Sequence, residues 1–313
     1  MTTKSPRLFG LELSRRELLR LALGVGALAV SDIPMAATTM LRRPIPRASE
    51  SLPVIGLGTW QTFDVGSAES VRAPLRDVLR ELVRSGGNVV DSSPMYGQSE
   101  SVVGDLATQL NLHEELFLAT KVWTSGREAG IRQMEQSFQR LRTKRIDLMQ
   151  VHNLVDWRTH LVTLRQWKEQ GKVRYIGVTH YTSSAYDELA RVLKSEELDF
   201  VQINYSVMER EAEQRILPLA AERRIAVLVN RPFAQSGLFR KVRGKSLPAW
   251  AKEIGCASWA QFFLKFVVSH PTVTCAIPGT SNVQHLIDNM QAGMAPLPDQ
   301  ATRERMTRLT SEL

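Results

Sequence analysis

The chain has 313 residues, 43% of them hydrophobic, and a formal net charge of +8. That is material for one large core, and two cysteines, Cys256 and Cys275, with no CxxC spacing argue against a disulfide framework and a zinc site. Five of the eight net charges fall in residues 1–48; beyond them Lys and Arg are interspersed with Asp and Glu, which excludes a phosphate-binding stripe for nucleic acid.

The first 45 residues read as an address. Ser14-Arg15-Arg16-Glu17-Leu18-Leu19-Arg20 precedes an apolar run, Leu21 to Val30, and small residues follow at Met35-Ala36-Ala37. The run is too short to span a bilayer, which takes about 20 residues. A basic opening, an apolar stretch and small residues in that order match a bacterial secretory signal. The paired arginines with Leu18 and Leu19 resemble a twin-arginine export signal. This predicts a periplasmic protein that meets the twin-arginine translocation machinery and touches the membrane only through its signal. The alternative is a cytoplasmic chain with an N-terminal helix capped by Ser14. Residues 42–47, Arg-Arg-Pro-Ile-Pro-Arg, read as an extended tether. The predicted division is therefore 1–45, signal and tether, and 46–313, one folded domain.

From Leu52 onward short apolar runs alternate with helical patterns. Strands are predicted at 54–57, 88–91, 116–121, 146–151, 173–178, 200–203, 226–229 and 273–277. Helices are predicted at 69–85, 99–110, 127–143, 159–170, 182–195, 211–223 and 258–269, with a closing helix near 299–312. In the seventh of these, Trp259, Phe262, Phe263 and Phe266 recur at one-face spacing and read as core packing. Eight strands alternating with helices predict a parallel sheet, and a (β/α)8 TIM barrel takes about 250 residues. A doubly wound sheet would open on a glycine-rich turn running into a helix. Gly56-Leu57-Gly58-Thr59-Trp60 lacks both the third glycine and the helix.

Barrel enzymes carry their chemistry at the C-terminal ends of strands. The second predicted strand ends in Asp91, with Tyr96 five residues on; the third ends in Lys121; the fourth runs into His152. Singly, each has a structural explanation: a cap, a rim residue, a snorkelling lysine, a half-buried imidazole. Together they are chemically complementary. A tyrosine hydroxyl titrates near 10, and a neighbouring Lys121 ammonium is expected to lower that value. Asp91 would keep Lys121 charged, and His152 would orient a carbonyl oxygen beside Tyr96.

These motifs resemble the aldo-keto reductases over nearly the whole chain past residue 52. The likeness rests on Gly56–Trp60, the Asp91–Glu100 stretch with its Asp-x-x-x-x-Tyr spacing, Tyr175–Val178, Gln202–Ser206 and Ile277–Asn282. It implies an NAD(P)H-dependent reduction of an aldehyde or ketone, with Asp91, Tyr96, Lys121 and His152 as the catalytic tetrad and Tyr96 as general acid. It also implies that Gln202 holds the nicotinamide carboxamide. By the same likeness Gly279, Thr280, Ser281 and Asn282 hold the adenosine phosphate at a helix N-terminus, and Asn289 reaches the adenine. NADP is the expected cofactor, NAD the other possibility; the partner is a small carbonyl compound, and no metal is implied. The chain departs from the family at Thr179-His180, where Ser-Asn is frequent, at Asn230, where an aromatic ring is frequent, and at His285, where arginine is frequent. Two rival readings remain: a dinucleotide-binding sensor with little turnover, and a lyase using Lys121 as a Schiff base, which would need that lysine neutral.

Overall fold

The computed structural model describes residues 39–313, so the segment up to Thr38, read above as an export signal, lies outside the described residues. Two short strands come first, β1 (Arg42–Pro44) and β2 (Ser51–Pro53), paired antiparallel. Residues 42–44 are extended, as expected, but as a paired strand and not as a free tether. Ile45 and Leu52 point from this hairpin into the interior and are buried. The half-buried Arg43 guanidinium donates to the carbonyls of Val268, His270 and Val273, tying the hairpin to the last barrel strand.

Eight parallel strands follow: β3 (Leu57–Gly58), β4 (Val89–Asp91), β5 (Phe117–Val122), β6 (Ile146–Val151), β7 (Val173–Thr179), β8 (Phe200–Asn204), β9 (Ala226–Asn230) and β10 (Val273–Ala276). They pair in sequence order from β3 to β10. The seam between β10 and β3 closes through parallel bridges at Ile55–Ala276 and Gly58–Gly279. Here the opening glycines are explained by crowding. A Cβ on Gly56 would lie 2.8 Å from Val89 Cβ, and one on Gly58 would lie 2.7 Å from the Ile277 carbonyl oxygen. The first strand begins later than the predicted Val54 because Val54 and Ile55 serve this seam instead.

The helices are α1 (Glu69–Arg84), α2 (Ser99–Leu110), α3 (Arg127–Leu141), α4 (Trp157–Glu169), α5 (Tyr186–Ser195), α6 (Ile216–Glu222), α7 (Gly237–Lys241), α8 (Trp259–Ser269), α9 (Val283–Gln291) and α10 (Gln300–Glu312). Each of the longer ones buries one stripe against the sheet, as Leu75, Val78, Leu79 and Leu82 do in α1. The aromatic stripe of α8 packs as expected, with Phe262, Phe263 and Phe266 buried. The predicted helix 211–223 is two pieces, a 3-10 turn at Glu211–Gln214 and α6. Pro218 has no N–H to give and its ring crowds the carbonyl of residue 214, so one helix cannot run through.

Inside the barrel the strands share a gradient. Their inward residues change from apolar to polar toward the C-terminal ends: Val89 then Asp91, Phe117 and Ala119 then Lys121, Leu148 then Gln150, Phe200 then Gln202, Leu228 then Asn230. The lower layers form a plug; the upper layer is the floor of an open site.

Candidate active site

Asp91, Lys121, Gln150 and Gln202 meet on that floor, all of them buried. Lys121 Nζ donates to Asp91 Oδ2 at 2.6 Å and to the Ser92 carbonyl at 2.7 Å. The other carboxylate oxygen, Oδ1, accepts from Gln202 Nε2 at 2.8 Å and from Gln150 Nε2 at 3.3 Å. Both oxygens of the carboxylate are thus hydrogen-bonded, which is what a buried charge requires. Thr59 braces the same turn from the first barrel strand: its hydroxyl lies 3.0 Å from both the Asp91 carbonyl oxygen and Ser92 Oγ.

Burial lowers the Lys121 ammonium pKa, but the Asp91 charge and Tyr96 outweigh it, and the value ends above the ordinary lysine range. Paired with Asp91 at 2.6 Å, Lys121 is held in its charged form, which counts against a Schiff-base role, since that needs a neutral amine. The ammonium sits 5.0 Å from the centre of the Tyr96 ring. Burial pushes the Tyr96 hydroxyl up, Lys121 pulls it down and Asp91 pushes it up again; the net is above its ordinary value. The expected lysine effect is there in direction, but desolvation overrides it. Tyr96 keeps its proton across the neutral range.

His152 lies edge-on to Tyr96, ring centres 5.9 Å apart, and Ser93 Oγ is 3.1 Å from its Nδ1. Burial first, then the charges of Lys121 and His180, push its pKa down to about 2. It is a neutral imidazole, able to donate one hydrogen bond and accept one. Trp123, at the end of β5, stands 6.4 Å from it with an exposed ring.

The residues expected to hold a dinucleotide fall in two places. Gln202 joins the floor, bridging Asp91 to Asn230 Nδ2, which is 3.4 Å from Gln202 Oε1. Gly279 to Asn282 form the turn between β10 and α9, across the seam from Gly58. Asn282 is the helix cap: its Oδ1 accepts from the Gln284 and His285 peptide N–H groups. Its N–H in turn donates to Thr280 Oγ1 at 3.1 Å. Ser281 is exposed at the turn, and Asn289 is buried in α9.

Several site residues escape the sequence reading. Gln150, Ser93 and Asn153 contact the floor or its rim, as does Asn230, which the sequence marked only as a departure from the family; Gln150 carried a legible signal, being the inward neighbour two residues before His152. Gln150 Oε1, Asn153 Oδ1 and Asn230 Oδ1 are buried acceptors with no donor. Three orphaned acceptors at the strand ends suit a ligand that presents N–H groups, as a carboxamide does. The family departures at 180 and 230 touch each other, since Asn230 Nδ2 donates to the His180 carbonyl at 3.3 Å. A cleft of about 440 Å³ lies at the opposite, N-terminal end, but its Arg174 is already paired with Asp147 and Glu50. That pairing marks it as structural. Among the described residues no group of three His, Cys, Asp or Glu side chains is placed to hold a metal ion.

Residues 54–306 match the model of the Aldo/keto reductase family. The chain is 31% identical over 248 residues to methylglyoxal reductase YeaE of Escherichia coli, covering 76% of this chain and 84% of that protein. It is 27% identical over 250 residues to an NADH-specific methylglyoxal reductase of the same organism, covering 68% and 73%. Among solved structures, an aldo-keto reductase from Klebsiella pneumoniae in complex with NADPH superposes with a TM-score of 0.71 at 26% identity. That match covers 87% of this chain and 95% of the other.

Proposed function

Since the chain belongs to the aldo/keto reductase family, we propose that it reduces an aldehyde or ketone to an alcohol with NAD(P)H, Tyr96 giving the proton. The observation that carries this is the buried Lys121–Asp91 pair set against Tyr96, with a neutral His152 edge-on to the same ring.

When bound, the reduced nicotinamide supplies the hydride to the carbonyl carbon. The protein's part is the oxygen. His152 fixes the carbonyl oxygen by a hydrogen bond, and Tyr96 passes it a proton as negative charge develops there. Lys121, held charged by Asp91, stabilises the phenolate left on Tyr96. That phenolate recovers its proton from water after the alcohol leaves.

The orphaned acceptors on Gln150, Asn153 and Asn230, with Gln202 between them, would hold the carboxamide. Gly279, Thr280, Ser281 and Asn282 would hold the adenosine phosphate at the start of α9, and Asn289 the adenine. The Klebsiella relative's NADPH supports the phosphorylated dinucleotide; His285 in place of arginine and the NADH-specific relative weigh the other way. NADPH is the preferred donor on this reading. Two relatives carry methylglyoxal in their names, so short 2-oxoaldehydes are the first substrates to assay. Consumption of NADPH in the presence of an aldehyde tests the proposal. Tight NADPH binding with no turnover across aldehydes, ketones and 2-oxoaldehydes would favour the sensor role. The address-like N-terminus supports export of the folded enzyme to the periplasm through the twin-arginine route.

A further inference from the structure

A neutral imidazole carries its single proton on one of two nitrogens, and only one choice lets His152 donate to a carbonyl oxygen. Its Nδ1 lies 3.1 Å from Ser93 Oγ. Ser93 is fully buried, and its hydroxyl oxygen already accepts the Met95 peptide N–H at 3.4 Å. Were the proton on Nδ1, it would donate into that same oxygen, and the Ser93 hydrogen would be left inside with no acceptor among the described residues. An unmade hydrogen bond in the interior is the costlier state. With Nδ1 bare, Ser93 donates to it and still accepts from Met95, so the buried hydroxyl is satisfied both as donor and as acceptor.

We infer that Ser93 is a positioning residue, whose hydroxyl holds His152 with Nδ1 as acceptor and the proton on Nε2. Nε2 has no partner among the described residues. Its N–H is free to donate to an oxygen held beside Tyr96, whose ring is 5.9 Å away. Without the serine hydroxyl the imidazole exchanges between its two forms, and in one of them a lone pair meets the carbonyl oxygen and repels it. The backbone of the same loop supports the placement, since the Tyr96 N–H donates to the Ser93 carbonyl at 3.0 Å. One residue thus sets both the height of the general acid and the proton of its neighbour. The effect on rate rests on the reductase reading; the proton's position does not.

The test is a two-bond proton–nitrogen correlation spectrum of the full chain labelled with nitrogen-15 histidine. His152 is identified as the ring whose signals vanish in His152→Gln. The wild type is expected to show a pyridine-type Nδ1 and a protonated Nε2. Ser93→Ala is expected to lose that pattern, to lower kcat about tenfold at saturating NADPH and aldehyde, and to leave the NADPH dissociation constant unchanged. Ser93→Thr, which keeps the hydroxyl, is expected to restore both the spectrum and kcat. Protonated Nδ1 in the wild type overturns the inference, as does Ser93→Ala with an unaltered spectrum and rate. A wild-type chain with protonated Nε2 that reduces no aldehyde supports the placement and overturns the reductase reading instead.

Discussion

At the scale of residues, the site separates two jobs that both fall on ionisable groups: holding charge and holding a proton. Lys121 and Asp91 are buried as a pair, and neither can be removed without stranding the other. Tyr96 keeps its hydrogen because burial outweighs the lysine's pull. Tyr96→Phe removes the proton donor without touching the floor, so kcat should fall by about 10²–10⁴-fold while NADPH affinity, followed by fluorescence quenching, holds. A variant keeping most of its reductase activity would refute the general-acid role. His152 yields a prediction on stability. Its folded pKa of about 2 lies below the ordinary 6.5, so the unfolded chain binds the extra proton between those values. The contribution is complete above pH 6.5 and is lost as pH falls from there toward 2. His270, pushed to about 4 by burial and by Arg303, adds a second proton of the same sign over the upper part of that window. Between pH 7 and pH 5, His152→Gln should therefore lose about 2 kcal/mol less unfolding free energy than the wild type. Equal losses in urea titrations at the two pH values would show that His152 is not desolvated as described.

At the scale of elements, the barrel is set by how closely its first and last strands approach. Gly58 pairs with Asp91 on one side and meets the Ile277–Gly279 backbone on the other. A methyl group 2.7 Å from the Ile277 carbonyl oxygen meets only the Ile277–Gly279 backbone, with no side chain able to yield. Gly58→Ala should cost about 1–3 kcal/mol of unfolding free energy, and because Asp91 is its register partner, kcat should fall as well. A variant with wild-type stability would mean that the seam is looser than these distances imply. The hairpin of β1 and β2 works at the other end. Its Ile45 and Leu52 cap the apolar layers, and Arg43 satisfies carbonyls that end α8 and start β10, groups that a helix end and an edge otherwise leave open.

At the scale of the whole molecule, the site sits at one end of the barrel and the hairpin closes the other. The export proposal rests on residues 14–20, Ser-Arg-Arg-Glu-Leu-Leu-Arg, which resemble a signal for a route that carries folded proteins, as an enzyme already holding its dinucleotide would require. Replacing Arg15 and Arg16 together with lysine should leave the chain in the cytoplasm, read by fractionation against the unaltered chain. Identical distribution of the two forms would overturn the export reading.

The alternation of apolar runs and helical stretches was enough to determine eight parallel strands and their order, because strands buried on both faces stand out as short continuous apolar runs between helices that carry a single apolar stripe. It also determined that Asp91, Tyr96, Lys121 and His152 belong together, because strand ends of a barrel share one rim. Three matters were decided only in three dimensions. Arg43 looked like part of a tether, and its partners lie more than 220 residues away. The direction of the Tyr96 shift depended on weighing burial against a charge, which needs the distances and the exposure of both groups. Ser93, Gln150 and Asn230 are ordinary polar residues along the chain, and their roles come from the atoms that the closed barrel sets against them. Periodicity reports which face a residue occupies; it carries no information on which polar atom of another strand will meet it there.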